Sequence, residues 1–297
     1  MSKNKKSIFS GAATALVTPF CGGKIDFEAF GNMIEYQIIS GIDALVVSGT
    51  TGEATTLSEA EFRSLVKFSK EKIAQRVPLM VGSGSNDTAK AQRLTKIATE
   101  EGADACLVVT PYYNKATQKG LVESYKAIAG CTCLPIIVYN VPTRTSVNIS
   151  LQSYKELSKI ENVVAVKEAS PDIVSCSELI FECGDSLDVY TGNDDQLIPC
   201  LALGGKGTIS VVSNIIPGEI HHICKKYFDG DTEGAKNLFK KYFPLMRAMF
   251  SEVNPIPVKT ALAAKGFCQE EFRLPLCSIS DENRDKLLRI MNELDLL

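Results

Sequence analysis

Eight short runs of apolar, largely β-branched residues recur along the chain: AATALVT, DALVVSGT, PLMVGSG, ACLVVTPYY, PIIVYNVP, VVAVKEAS, DVYTGND and GTISVVSN. Their apolar positions are continuous rather than alternating with polar ones, which predicts strands buried on both faces, as in a parallel sheet. Between the runs the pattern takes on a helical period. In LSEAEFRSLVKFSKEKIAQ, Leu57, Phe62, Leu65 and Phe68 lie near helical spacing. Ser58 with Glu61 makes a capping box at the start. NDTAKAQRLTKIATEEGA opens on Asn86 or Asp87 as a cap and ends near Gly102.

Strand and helix alternate eight times, the signature of a parallel sheet with right-handed crossovers. Eight such units over roughly 220 residues predict an α/β fold, a closed (β/α)8 TIM barrel. An open doubly wound sheet is the lesser alternative, because no GxGxxG opens a helix after the first strand. After about residue 226 the strands stop. NPIPVKTALAAKG begins with prolines that suit a helix start, and SDENRDKLLRIMNELDLL closes the chain as an amphipathic helix. The expected organisation is therefore a barrel domain over residues 1–226 and a C-terminal helical extension, 227–297, packed on it.

Composition narrows the classes of function. The chain of 297 residues is 45% hydrophobic and 23% charged, with a formal net charge of −3, so no basic field argues for nucleic acid. The cluster in MSKNKKS reads as a solvated terminus. No apolar run approaches the ~20 residues of a membrane span, and the first residues lack a secretory apolar core. These features place the protein in the cytoplasm, where its 10 cysteines are expected as free thiols. Cys131 and Cys133 lack a second pair, and His221 and His222 are adjacent and diverge on a helix, so no metal site is expected.

In barrels of this kind chemistry gathers at the C-terminal ends of the strands. The sixth run is the only one of the eight that contains a lysine, Lys167. Burial favours the neutral form of an amine, and a neutral amine attacks carbonyls to form a Schiff base. On that stretch alone two readings stay open: a nucleophile, or a structural lysine paired with Glu168. Tyr139, at the end of the adjacent fifth run, offers a phenol as a proton relay and favours the nucleophile. Arg144, in the loop that follows, suits capture of a carboxylate, although a loop arginine also serves in surface ion pairs. GTTGE also reads as only a tight turn into a helix, yet Thr50 and Thr51 supply hydroxyls and amides near a helix N-terminus, where an anion is favoured. Gly192 and the region of Ile209 offer backbone groups that a ligand can approach closely. Tyr112 and Tyr113 also suit an exposed aromatic pair at an interface. Together these residues describe a class I aldolase-type barrel with anion sites for a small keto acid.

GTTGE, YNVPTRT, VVAVKEAS and NPIPVK, in that order across nearly the whole chain, resemble the dihydrodipicolinate synthase family. GTTGE and the lysine strand are shared with the wider superfamily that includes N-acetylneuraminate lyase, whereas the arginine of YNVPTRT marks the synthase branch. The resemblance implies that Lys167 forms a Schiff base with pyruvate. It makes Tyr139 the proton shuttle, linked through Thr50 to Tyr113, which reaches in from a neighbouring subunit. Thr51 then holds the pyruvate carboxylate, Arg144 receives the carboxylate of L-aspartate 4-semialdehyde, and Gly192 and Ile209 add backbone contacts. The implied product is 4-hydroxy-tetrahydrodipicolinate, at the entry to diaminopimelate and lysine biosynthesis. No metal or organic cofactor is implied, and the implied assembly is a homotetramer of tight dimers.

One region departs from lysine-inhibited members of that family. Asn86 and Tyr112 match their effector site, but Lys90 stands where a glutamate often binds the effector, and Ala54, Glu59 and Phe62 differ as well. A cationic Lys90 repels the effector's ammonium, so feedback inhibition by lysine is expected to be weak or absent. Three alternatives frame the reading. Another pyruvate aldolase, such as N-acetylneuraminate lyase or a keto-deoxy sugar acid aldolase, shares Lys167 and Tyr139 but does not call for Arg144. A pyridoxal phosphate barrel would use GGKGT as a phosphate cradle. A non-catalytic barrel has no need of a desolvated amine.

Overall fold

A computed structural model describes residues 7–297; the lysines of the basic N-terminal cluster lie outside the described residues. All eight apolar runs form strands: Gly11–Ala15, Ala44–Val47, Leu79–Gly82, Ala105–Val109, Ile136–Asn140, Val163–Glu168, Asp188–Thr191 and Gly207–Ser210. They close into a barrel in sequence order, the eighth beside the first, with helices as crossovers. The fold is the expected (β/α)8 barrel. Continuous burial explains the continuous apolar runs: every residue from Val163 to Glu168 is buried.

The helix signals hold in detail. Ser58 and Glu61 form the reciprocal capping box of helix Glu59–Ile73, whose buried face carries Phe62, Leu65, Val66 and Ile73. Asp87 caps helix Thr88–Glu100 through Ala89 N. Beyond the eighth strand run helices Pro217–Phe228, Thr232–Ala248, Ile256–Ala264 and Asp281–Glu293. Among the described residues no helix is long and apolar enough to cross a membrane.

A feature outside the expected plan is a two-stranded hairpin, Phe20–Cys21 with Lys24–Ile25. Gly22 and Gly23 turn it at φ of 58° and 77°, values that glycine adopts without strain. The glycine pair was its sequence signal; its strands are too short to show a period. The chain divides into two compact units, one holding residues 78–209 with the segment up to Gly11, the other residues 12–77 and 210–297.

Candidate active site

In the first unit the fifth and sixth strands run parallel, with Tyr139 opposite Lys167 and Asn140 opposite Glu168. Side chains alternate across a strand, so these two rungs face opposite ways. On the first rung Lys167 is buried, and its Nζ lies 4.4 Å from the centroid of the Tyr139 ring. That is cation–π distance, and it brings amine and phenol together as the sequence suggested. Gly192 has a specific task here. A Cβ at that position would lie 2.8 Å from Lys167 Cε and 2.7 Å from the Ala169 Cβ, so only glycine leaves room for the lysine stem. Ile209, in the eighth strand, is fully buried.

On the second rung Glu168 turns away from Lys167, which removes the reading of the two as a structural pair. Its carboxylate accepts hydrogen bonds from Asn140 Nδ2 (2.9 and 3.0 Å), Tyr154 Oη (2.9 Å) and the Ser170 N–H (2.8 Å). Burial pushes the Glu168 carboxyl above its ordinary pKa, against the pull of these donors. Burial and the neighbouring carboxylate hold the Tyr154 phenol well above its own.

Arg144 sits exposed on a single helical turn, Pro142–Thr145, which Pro142 starts and Ser146, at φ 54°, ends. Tyr113 is 91% exposed at φ 72°, a left-handed conformation uncommon for an aromatic residue. The neighbouring Asn114 Nδ2 donates to Asn86 O at 2.8 Å. Of the residues that depart from the lysine-effector pattern, Lys90 is part-exposed in the first turn of its helix, while Phe62 belongs to the core.

In the second unit, SGTTGE forms tight turns after the second strand. Gly52 N donates to Gly49 O and Glu53 N to Thr50 O, with Ser48 and Glu53 at φ of 54° and 52°. Of the two readings of GTTGE, the tight turn is the one formed, and the helix that the Ser58 and Glu61 capping box predicts starts beyond it. A single 3-10 turn, Ala54–Thr56, intervenes, and the long helix begins at Glu59. The left-handed residues end the path of the strand before a helix can start. Thr51 is buried, and its Oγ1 accepts from Asn254 Nδ2 at 3.0 Å. Glu53 is buried in an ion pair with Lys259, which is itself fully buried, and accepts the Arg273 N–H at 3.0 Å. Burial pushes the Lys259 amine down against the opposing pull of Glu53. Asn254 and Lys259 both lie in the NPIPVK motif, where sequence reasoning found a resemblance and a helix start but no contact. The available signal was a lone charged residue in the stretch IPVKTALAA.

The other chemical candidates resolve simply. His221 Nδ1 contacts Asp43 at 2.9 Å. The last glycine of GGKGT is required by packing: a Cβ on Gly207 would fall 1.8 Å from Gly11 O. That accounts for Gly207 without a phosphate.

A closed parallel barrel with a buried lysine and a tyrosine sharing a rung at the strand ends defines a barrel enzyme of lyase type. The chain belongs to the dihydrodipicolinate synthetase family, whose model matches residues 8–294. It is 48% identical over 291 residues to the 4-hydroxy-tetrahydrodipicolinate synthase of Thermoanaerobacter sp. (strain X514), covering 98% of each chain. It is 44% identical over 293 residues to the synthase of Acetivibrio thermocellus, covering 99% of this chain and 100% of that one. Among solved structures, dihydrodipicolinate synthase from Thermotoga maritima superposes with a TM-score of 0.96 at 42% identity, covering 98% of this chain and 100% of the other. The chloride-inhibited enzyme of Acinetobacter baumannii, complexed with pyruvate, gives 0.96 at 38% identity, with the same coverage.

Proposed function

We propose that this protein condenses pyruvate with L-aspartate 4-semialdehyde through a Schiff base on Lys167, giving 4-hydroxy-tetrahydrodipicolinate. The observation that carries the reading is the rung shared by Lys167 and Tyr139, cleared by Gly192. The Lys167 amine attacks the keto carbon of pyruvate, water leaves, and an iminium forms. Loss of a methyl proton gives the enamine, whose carbon attacks the aldehyde. The amine of the second substrate then adds to the former keto carbon, closing the ring and releasing Lys167. Tyr139 carries protons to and from these centres, the role of a phenol held beside the reacting nitrogen.

The same proposal gives Thr51 the pyruvate carboxylate. Asn254 supports this assignment: a hydroxyl that accepts an amide N–H keeps its own proton to donate to an anion. Arg144 takes the carboxylate of the semialdehyde, and Thr50 joins Tyr139 to Tyr113 of a neighbouring copy. The exposed Tyr113 accords with a role outside its own chain. Gly192 and Ile209 complete the backbone contacts. Val174 and Phe181, seven residues apart on one face of helix Ile173–Cys183, are 61% and 87% exposed and accord with self-association into the proposed homotetramer. The domain boundary at 226/227 and a cytoplasmic location belong to the same reading.

Borohydride reduction with pyruvate, followed by peptide mass analysis, tests the mechanism. A pyruvyl adduct on the Lys167 peptide is expected, and its absence or appearance on another peptide refutes the assignment. Assaying pyruvate with aspartate semialdehyde against cleavage of sialic acid separates this reading from that of a related aldolase.

A further inference from the structure

Glu168 is a buried carboxylate whose hydrogen bonds, among the described residues, come from neutral donors. Burying a charge without a cation is costly, and the chemistry just described leaves this group unused. Its partners show what it holds in place. Tyr154 lies in helix Leu151–Leu157, Ser170 in the segment after the sixth strand, and Asn140 at the end of the fifth. Asn140 spends its whole amide on this junction. Nδ2 donates to both Glu168 oxygens and to Asn148 Oδ1 at 2.7 Å, and Oδ1 accepts the Ile149 N–H at 3.2 Å. The segment between Asn140 and Asn148 carries Arg144. It therefore leaves from Asn140 and returns to Asn140, closed by one side chain.

An asparagine amide has two orientations that differ only in which end donates. A carboxylate only accepts, so Glu168 admits one of them: Nδ2 inward, and hence Oδ1 toward Ile149. Glu168 is also the next residue after Lys167 and the rung partner of Asn140. The two strands thus present amine and phenol on one face and the anchor of the arginine loop on the other.

We propose that Glu168 is a positioning residue for the second substrate: through Asn140 it holds the Arg144 loop at a fixed register to Lys167, and so governs capture of the carboxylate-bearing aldehyde without governing Schiff-base formation. The inference rests on the reading that Arg144 receives that carboxylate.

Steady-state kinetics in both substrates test it, with Glu168→Gln, Asn148→Ala and Arg144→Lys in parallel. Glu168→Gln places an amide donor against Asn140. The expected result is a rise of about tenfold in KM for aspartate semialdehyde, with KM for pyruvate and borohydride trapping at Lys167 within about twofold of the parent, as loss of one or two buried hydrogen bonds implies. The double variant Asn140→Asp/Glu168→Gln reverses donor and acceptor between the strands, and with the exposed Asn148 amide turned to donate to the introduced carboxylate it is expected to recover most of the aldehyde KM. A role confined to stability would instead lower Tm and move neither KM selectively. An unchanged aldehyde KM in Glu168→Gln, or a parallel rise in both KM values, overturns the inference. If Glu168→Gln does not fold, Asn148→Ala decides, since it removes only the loop side of the junction at an exposed residue: a selective rise in aldehyde KM supports the inference and no change overturns it. If Arg144→Lys leaves the aldehyde KM unchanged, the reading of Arg144 falls, and this inference with it. If Arg144→Lys raises that KM and Glu168→Gln does not, the inference alone falls.

Discussion

Tyr139 and Lys167 are direct neighbours across two parallel strands, and the lysine amine lies 4.4 Å from the centre of the tyrosine ring. Both side chains are buried, so each restricts the other's rotamers. Tyr139→Phe is expected to keep this packing and remove only the hydroxyl. Its kcat should fall by about 10²–10⁴, the usual contribution of a proton-transfer group, with Tm within a few degrees of the parent. Lys167→Arg should abolish trapping of pyruvate. Stopped assays and differential scanning calorimetry on both variants check this.

Gly192→Ala places a methyl group 2.8 Å from Lys167 Cε. The lysine stem must shift, and misplacement by about an ångström can cost on the order of 100-fold in rate. The rate of borohydride trapping should fall along with turnover. A rate equal to that of the parent would show that the stem has room elsewhere.

Glu53 and Lys259 form a buried ion pair in the second unit. Lys259→Met strands the carboxylate and should cost about 3–5 kcal/mol, whereas replacing both partners by neutral residues should recover much of that loss. Urea unfolding of Lys259→Met and of Glu53→Gln/Lys259→Met gives the comparison.

Glu61 is held by the Arg273 guanidinium, which lowers its carboxyl pKa to about 2 from 4.5. A lowered folded-state pKa means that the stabilisation is complete above the unfolded value of 4.5 and is lost as pH falls toward 2. Glu61→Gln should therefore be less stable than the parent at neutral pH, and the gap in Tm should close across that acid window. A gap that stays constant down to about pH 2.5 would contradict the linkage.

Lys90 stands part-exposed at the start of helix Thr88–Glu100. If it repels a cationic effector, lysine should inhibit weakly or not at all, and Lys90→Glu should increase sensitivity by about tenfold or more, as reversing a nearby charge implies. Inhibition curves for parent and variant decide it; normal inhibition of the parent at sub-millimolar lysine refutes the expectation.

What the sequence determined by itself was local or periodic. Continuous apolar runs marked eight buried strands, their order with the helices marked the barrel, Ser58 and Glu61 marked a cap, and a lysine inside an apolar run marked the strand of the candidate nucleophile. Each of these signals spans only a few residues, so each is legible in a single chain. Tertiary structure decided the rest. That Glu168 faces away from Lys167 follows from strand alternation, but its partners there, Asn140 and Tyr154, follow from the packing. The reason for Gly192 lay in the Lys167 stem, 25 residues earlier in the chain. The partners of Thr51 and Glu53 come from 203 and 206 residues away. The tight turn was one of the readings GTTGE allowed, but its left-handed residues, Ser48 and Glu53, are not glycines, and nothing in their types announces a positive φ. Periodicity reports which face of an element is buried. Which buried polar group meets which is set only when distant strands come into register, because a hydrogen bond depends on angstrom-scale placement that the one-dimensional pattern does not carry.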